Sequence, residues 1–292
     1  MFSGTLVAMI TPFESDGAID YRRLEEQTDF LIESGVDGLV PVGTTGESPT
    51  LSHEEHQQVI KAVVTCANGR VPVVAGTGSN STDEAIHLTR YAKQTGAAGA
   101  LMVNPYYNKP TQGGLYAHFA KIASEVDFPI VLYNIPGRCS VTMTPQTVAR
   151  LHTDHPNIVA IKEATGSMDQ ASEIATTCKI TILSGDDSLT LPLAAIGGSG
   201  IISVVANVVP ADVKKLTDAI AANNLESARA QHQKLFPLCR AMFIETNPIP
   251  IKAAMQTLGR DRGVLRLPMT PLSEENTPIL HDALRDYGLK AK

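Results

Sequence analysis

Short apolar runs alternate with amphipathic stretches over the first three-quarters of the chain. Residues 4–10, 38–43, 71–76, 99–103, 129–134, 158–162, 179–183 and 200–205 are apolar, rich in Val and Ile, and bounded by Gly, Pro or polar residues, the signature of buried strands. Between them the spacing becomes helical, over 20–34, 52–67, 81–95, 112–126, 144–151, 167–177 and 187–196. Asp20 stands where an N-cap belongs, Gly35 follows the first helix, and Ser52 with Glu55 has the spacing of a capping box. Regular alternation of strand and helix with short links predicts a parallel sheet. Eight such units within roughly 220 residues predict a closed (β/α)8 TIM barrel rather than an open sheet. After the last strand only helical spacing remains, at 211–222, 225–242, 250–258 and 272–287. The expected division is a catalytic barrel over 1–222 and a C-terminal helical appendix over 223–292.

Composition narrows the class. The 292 residues are 43% hydrophobic and 18% charged, with a net charge of −6 and no block of Lys or Arg, which argues against nucleic acid and anionic membranes as partners. No apolar run is long enough to span a bilayer, and no basic segment precedes the first apolar run, so a cytoplasmic protein is expected. Cys66, Cys139, Cys178 and Cys239 are too far apart for a CxxC or zinc pattern and read as reduced thiols. His53 and His56 are three apart, not the four of HExxH, and no other ligand cluster completes a metal site. There is no Walker A motif and no GxGxxG. Neither a metal nor a cofactor is expected.

In a barrel of this kind chemistry belongs at the C-terminal ends of the strands. Lys162 closes the apolar run Ile158-Val159-Ala160-Ile161. Burial would lower its pKa from about 10.4, and a neutral amine is what imine chemistry on a ketone needs. The alternative is a strand-end lysine that reaches out to water. Gly43-Thr44-Thr45-Gly46-Glu47 can aim N–H groups and hydroxyls at a carboxylate, or simply be a turn. Tyr106 and Tyr107 are adjacent in a loop; Tyr133 ends another apolar run and could move protons. Arg138 offers a fork for a carboxylate, or is a solvated loop residue. Residues 184–187 and 200–203 carry weaker signals.

The runs Gly43–Glu47, Tyr133-Asn134-Ile135-Pro136-Gly137-Arg138 and Ile161-Lys162-Glu163 resemble the class I pyruvate aldolase superfamily and, within it, the dihydrodipicolinate synthase family. Asn104-Pro105-Tyr106-Tyr107, Leu183-Ser184-Gly185-Asp186-Asp187, Gly200-Ile201-Ile202-Ser203 and Asn247-Pro248-Ile249-Pro250-Ile251-Lys252 extend the resemblance over essentially the whole chain. It implies a Schiff base between Lys162 and pyruvate, whose enamine attacks L-aspartate 4-semialdehyde. The implied proton relay is Tyr133, Thr44 and Tyr107, the last supplied by a neighbouring subunit of a homotetramer built as a dimer of dimers. Thr45 and the backbone of Ile202 would hold pyruvate, and Arg138 the semialdehyde carboxylate. Arg138 separates this reading from sugar-acid aldolases of the same superfamily; a non-catalytic keto-acid sensor would not need to keep the nucleophile.

The resemblance also implies inhibition by L-lysine at a subunit interface, with Ser48, His53, His56, Asn80, Glu84 and Tyr106 at the matching positions. Glu84 can pair with an ammonium, and His53 and His56 share a helix face. Pro49 stands where a small residue such as Ala is expected.

Overall fold

The computed structural model describes residues 2–291. Eight parallel strands form its centre: β1 (Gly4–Ala8), β2 (Gly38–Val40), β3 (Val74–Gly76), β4 (Gly99–Val103), β5 (Ile130–Asn134), β6 (Ile158–Glu163), β7 (Thr181–Ser184) and β8 (Gly200–Ser203). They are hydrogen-bonded in the order β2-β1-β8-β7-β6-β5-β4-β3. Leu39 N–H donates to the Pro72 carbonyl at 3.0 Å and Leu39 bridges Val73, so β2 meets β3 and the sheet closes into the expected (β/α)8 barrel. Close approach is built into the ladder by glycine: a Cβ on Gly200 would lie 2.2 Å from the Gly4 carbonyl oxygen.

Around the strands run α1 (Tyr21–Glu33), α2 (His53–Ala67), α3 (Thr82–Thr95), α4 (Gln112–Glu125), α5 (Pro136–Cys139), α6 (Pro145–Asp154), α7 (Met168–Thr177), α8 (Thr190–Ala195) and α9 (Pro210–Ala221). They are followed by α10 (Leu225–Ala241), α11 (Ile249–Thr257) and α12 (Thr277–Tyr287). Asp20 caps α1 through the Arg23 N–H, and Ser52 and Glu55 form the reciprocal capping box of α2. The 187–196 helix is split. Asp187–Leu189 is a 3-10 turn, because the Asp187 carboxylate is engaged by the Ser203 hydroxyl and the Val204 and Val205 N–H groups instead of capping a helix. The last helix starts at Thr277 rather than 272, because Ser273 and Asn276 are drawn onto Glu245 Oε1. The one-turn α5 is too short to leave a periodic signal.

Alternation along the strands makes two apolar layers. Leu6, Ala8, Val40, Val74, Leu101, Val131, Tyr133, Ala160, Leu183 and Ile202 fill the barrel interior. Val7, Leu39, Met102, Leu132 and Ile161 face outwards to the helices. That outer layer is continuous with Leu238, Met242, Ile251 and Met255, so α10 and α11 share the core of the barrel.

A buried ion pair joins the two regions. Lys252 of α11 and Glu47, in the loop after β2, meet at 2.7 Å with side chains 0% and 1% exposed. Lys252 Nζ also donates to the Thr11 carbonyl at 3.0 Å, and Glu47 Oε2 accepts the Arg266 N–H at 3.1 Å. Breaking such a pair from one side leaves an uncompensated buried charge. Lys252→Met is therefore expected to cost about 3–5 kcal/mol in urea unfolding, and adding Glu47→Gln to recover a large part of it. A single variant within about 1 kcal/mol of the parent would contradict this role.

Candidate active site

Period-two alternation decides which side chains reach the mouth of the barrel. On β6 Ala160 points inwards, and so therefore does Lys162; on β5 the same holds for Val131 and Tyr133. The strands are in register at Tyr133 and Lys162. Lys162 Nζ consequently lies 4.2 Å from the centre of the Tyr133 ring. Lys162 is 4% exposed and has no hydrogen-bond or ion-pair partner among the described residues. Burial pushes its amine down to about 8; the charges of Asp186 and Asp187 oppose that shift, and Arg138 adds to it. Burial drives the Tyr133 phenol upward, with Arg138 and the Thr44 hydroxyl acting the other way, so at neutral pH the phenol keeps its proton.

Thr44, Thr45, Arg138, Asp186, Phe243 and Asn247 line a small cavity of about 40 Å³ with these two groups. Thr44 and Arg138 also border an adjoining cavity of about 230 Å³ that reaches Ser48, Pro49, Tyr106 and Cys139. The Thr44–Thr45 loop is strained at both ends: Val42 has φ +50° and Glu47 φ +53°, in the left-handed region that β-branched residues above all avoid. Arg138 sits on α5, exposed at the mouth, its Nη2 donating to the Asn247 carbonyl at 2.8 Å. Thr45 Oγ1 accepts from Asn247 Nδ2 at 3.0 Å.

The remaining expected residues are placed differently. Ile202 is fully buried in the barrel interior and paired to Leu6; Val204, two residues on, lines the cavity. Tyr107 is 91% exposed at φ +72° and does not reach Lys162 of its own chain. Phe243 and the two contacts of Asn247 were not foreseen. Two prolines, Pro248 and Pro250, follow Asn247, but no local pattern signals a partner 202 residues away in the chain.

Ser48, His53, His56, Glu84 and Tyr106 line a third cavity, of about 200 Å³, and Pro49 forms part of its wall. His53 Nε2 is 3.1 Å from Glu84 Oε1, and His56 Nε2 bonds the Gly76 carbonyl at 2.7 Å. Burial lowers the His56 pKa, which favours the neutral ring. Asn80 stands at the edge, donating to the Tyr106 carbonyl at 3.2 Å. Among the described residues no cluster of metal-ligating side chains is present, and no helix is long and apolar enough to cross a membrane.

The geometry is that of a desolvated amine nucleophile beside a protonated phenol. With a pKa of about 8, about a tenth of the amine is neutral at pH 7, against roughly 0.04% for an ordinary lysine. Adduct formation between Lys162 and a keto acid, trapped with cyanoborohydride, is expected to rise with pH through about 8 and level off above it. Asp186→Asn removes a charge that favours the ammonium, so the midpoint should move to lower pH. A midpoint that stays put in this variant would remove Asp186 from the electrostatics of the amine.

Comparison with known proteins agrees with this architecture. The sequence model of the Dihydrodipicolinate synthetase family matches residues 1–287. The 4-hydroxy-tetrahydrodipicolinate synthase of Methanocaldococcus jannaschii is 53% identical over 289 residues, covering 99% of this chain and 100% of the relative. The crystal structure of dihydrodipicolinate synthase from Aquifex aeolicus superposes with a TM-score of 0.98 at 49% identity, over 100% of both chains. A structure of the Cyanidioschyzon merolae enzyme with lysine bound superposes at 0.96 with 39% identity, over 99% of each chain. With the match running through the barrel and the C-terminal helices alike, the chain belongs to the dihydrodipicolinate synthase family.

Proposed function

We propose that the chain condenses pyruvate with L-aspartate 4-semialdehyde to 4-hydroxy-tetrahydrodipicolinate, in lysine and diaminopimelate biosynthesis. The observation that carries this reading is the buried, unpaired Lys162 held in register beside Tyr133, with Arg138 at the mouth. Lys162 Nζ adds to the C2 carbonyl of pyruvate. Tyr133 gives a proton to the departing oxygen, water leaves, and an iminium remains. Loss of a methyl proton gives the enamine, whose carbon attacks the aldehyde. The amine of the second substrate then adds to C2 and expels Lys162, closing the ring. Lys162 itself supplies the electron sink, so the sequence of steps calls for no metal or cofactor.

In this reading Thr44 hands protons to and from Tyr133, Thr45 holds the pyruvate carboxylate, Ile202 backs the methyl side from the barrel interior, and Arg138 clamps the semialdehyde carboxylate. Tyr107, exposed and strained, completes the relay in a neighbouring subunit, which makes the working enzyme an oligomer, the homotetramer being the assembly we expect. A cytoplasmic location with four free thiols belongs to the same reading. Borohydride reduction with pyruvate should leave an adduct on the Lys162 peptide by mass spectrometry. Arg138→Leu should retain that adduct while the KM for the semialdehyde rises. A folded protein that traps no adduct would defeat the whole mechanism.

The cavity lined by His53, His56, Glu84 and Tyr106 is the proposed site for feedback by L-lysine, a reading supported by the lysine-bound relative. Glu84 takes the ammonium, and Asn80 and the Tyr106 phenol bind the amino-acid end. Millimolar L-lysine should inhibit, and Glu84→Gln should weaken that inhibition by about tenfold or more, as loss of a hydrogen bond to a charged group does. Activity indifferent to lysine would leave this cavity without its ligand.

A further inference from the structure

Asn247 touches both groups assigned to the substrate carboxylates. Its Nδ2 donates to Thr45 Oγ1 at 3.0 Å, and its backbone carbonyl accepts from Arg138 Nη2 at 2.8 Å. The residue is 4% exposed and lines the cavity that holds Lys162. Its Oδ1 is buried without a partner among the described residues, a cost that a purely structural amide would be expected to avoid. The two segments it links are already clamped together, because Glu47 follows Thr45 by two residues and Lys252 follows Asn247 by five, and these two form the buried ion pair.

The direction of the hydrogen bond matters. An N–H donated into Thr45 Oγ1 occupies an oxygen lone pair and leaves the hydroxyl hydrogen to point elsewhere. It also polarises the O–H and makes it a better donor. A carboxylate is the acceptor such a hydroxyl suits. We infer that Asn247 is a positioning residue: its side chain commits the Thr45 hydroxyl to donate to the pyruvate carboxylate, and its carbonyl fixes Arg138 at the matching distance for the second substrate. This inference rests on the roles of Thr45 and Arg138 proposed above.

Two variants and a double-mutant cycle test it. Asn247→Ala removes the donor to Thr45 but keeps the carbonyl that holds Arg138. The KM for pyruvate should rise about tenfold and the KM for the semialdehyde change by less than about twofold. Asn247→Asp is isosteric but accepts where the amide donates. It accepts the hydrogen bond that the Thr45 hydroxyl donates and puts a negative charge beside the pyruvate carboxylate, so its pyruvate KM should exceed that of Asn247→Ala. A pyruvate KM for Asn247→Asp no higher than that of Asn247→Ala would overturn the inference. Thr45→Val alone should raise the pyruvate KM, and adding Asn247→Ala to it should do little more. Effects that multiply would show that Asn247 does not act through Thr45. If Thr45→Val leaves the pyruvate KM unchanged, the role of Thr45 fails and this inference with it. If Thr45→Val raises the KM and Asn247→Ala does not, the inference alone fails.

Discussion

The contact between Lys252 and Glu47 is the constraint on which the working end of the barrel depends. It ties α11 to the loop after β2 and, through the Thr11 carbonyl, to the loop after β1. Glu47 also receives the Arg266 N–H, and the Arg266 guanidinium forks onto both carboxylate oxygens of Glu55, the residue that closes the capping box of α2. A buried ion pair is a poor source of net stability, because desolvation offsets much of its attraction; an apolar pair of the same shape could serve as well. What it enforces is one arrangement. Glu47 is held at a positive φ that its own backbone resists, and the strain falls on the loop that presents Thr44 and Thr45.

A comparison of the two buried lysines shows how partners rather than burial decide chemistry. Both are desolvated, and in both the pKa is depressed by burial. Lys252 has a carboxylate at 2.7 Å and a carbonyl at 3.0 Å, so its proton is spoken for and its role is mechanical. Lys162 has neither. Asp187, the fully buried carboxylate near it, spends its oxygens on the Ser203 hydroxyl and on the N–H groups of Val204 and Val205. Asp186 influences the amine only through space. The amine is therefore kept near the point where it can lose its proton, and the charge around it is arranged to moderate that loss rather than to prevent it.

Much of this was legible in sequence because it follows from local rules. The period of two that buries Ala160 buries Lys162, and the same parity carries Tyr133 inwards; the β/α alternation leaves few folds besides a barrel. The expected bounds match at β4 and fall one residue short at the ends of β6 and β7, but elsewhere they overrun by one to three residues; after β1, Met9 and Ile10 stay buried beyond the ladder and so look like strand by hydrophobicity alone. What could not be read is what long-range closure creates. Nothing near Asn247 announces Thr45 or Arg138, and nothing near Lys252 announces Glu47. Tyr107 illustrates a different limit: exposure and a positive φ are the marks it carries in the single chain, and neither names a partner.

The same loop also links the two ends of the site. Thr44 and Arg138 border both the cavity that holds Lys162 and the larger one beside it, and Ser48, Pro49, Gly78 and Tyr106 border both that larger cavity and the one holding His53 and Glu84. Residues 44–49 are thus one wall of three adjoining spaces, pinned at Glu47. A ligand in the outer space can alter catalysis only to the extent that it binds one arrangement of this wall better than another, and a substrate that prefers the same arrangement must strengthen that ligand in return. Pro49 bears on this directly. Its ring fixes φ at a point where the wall borders both outer spaces. The short 3-10 turn Ser48–Thr50 that carries Pro49 stands directly after Glu47, the residue that Lys252 anchors.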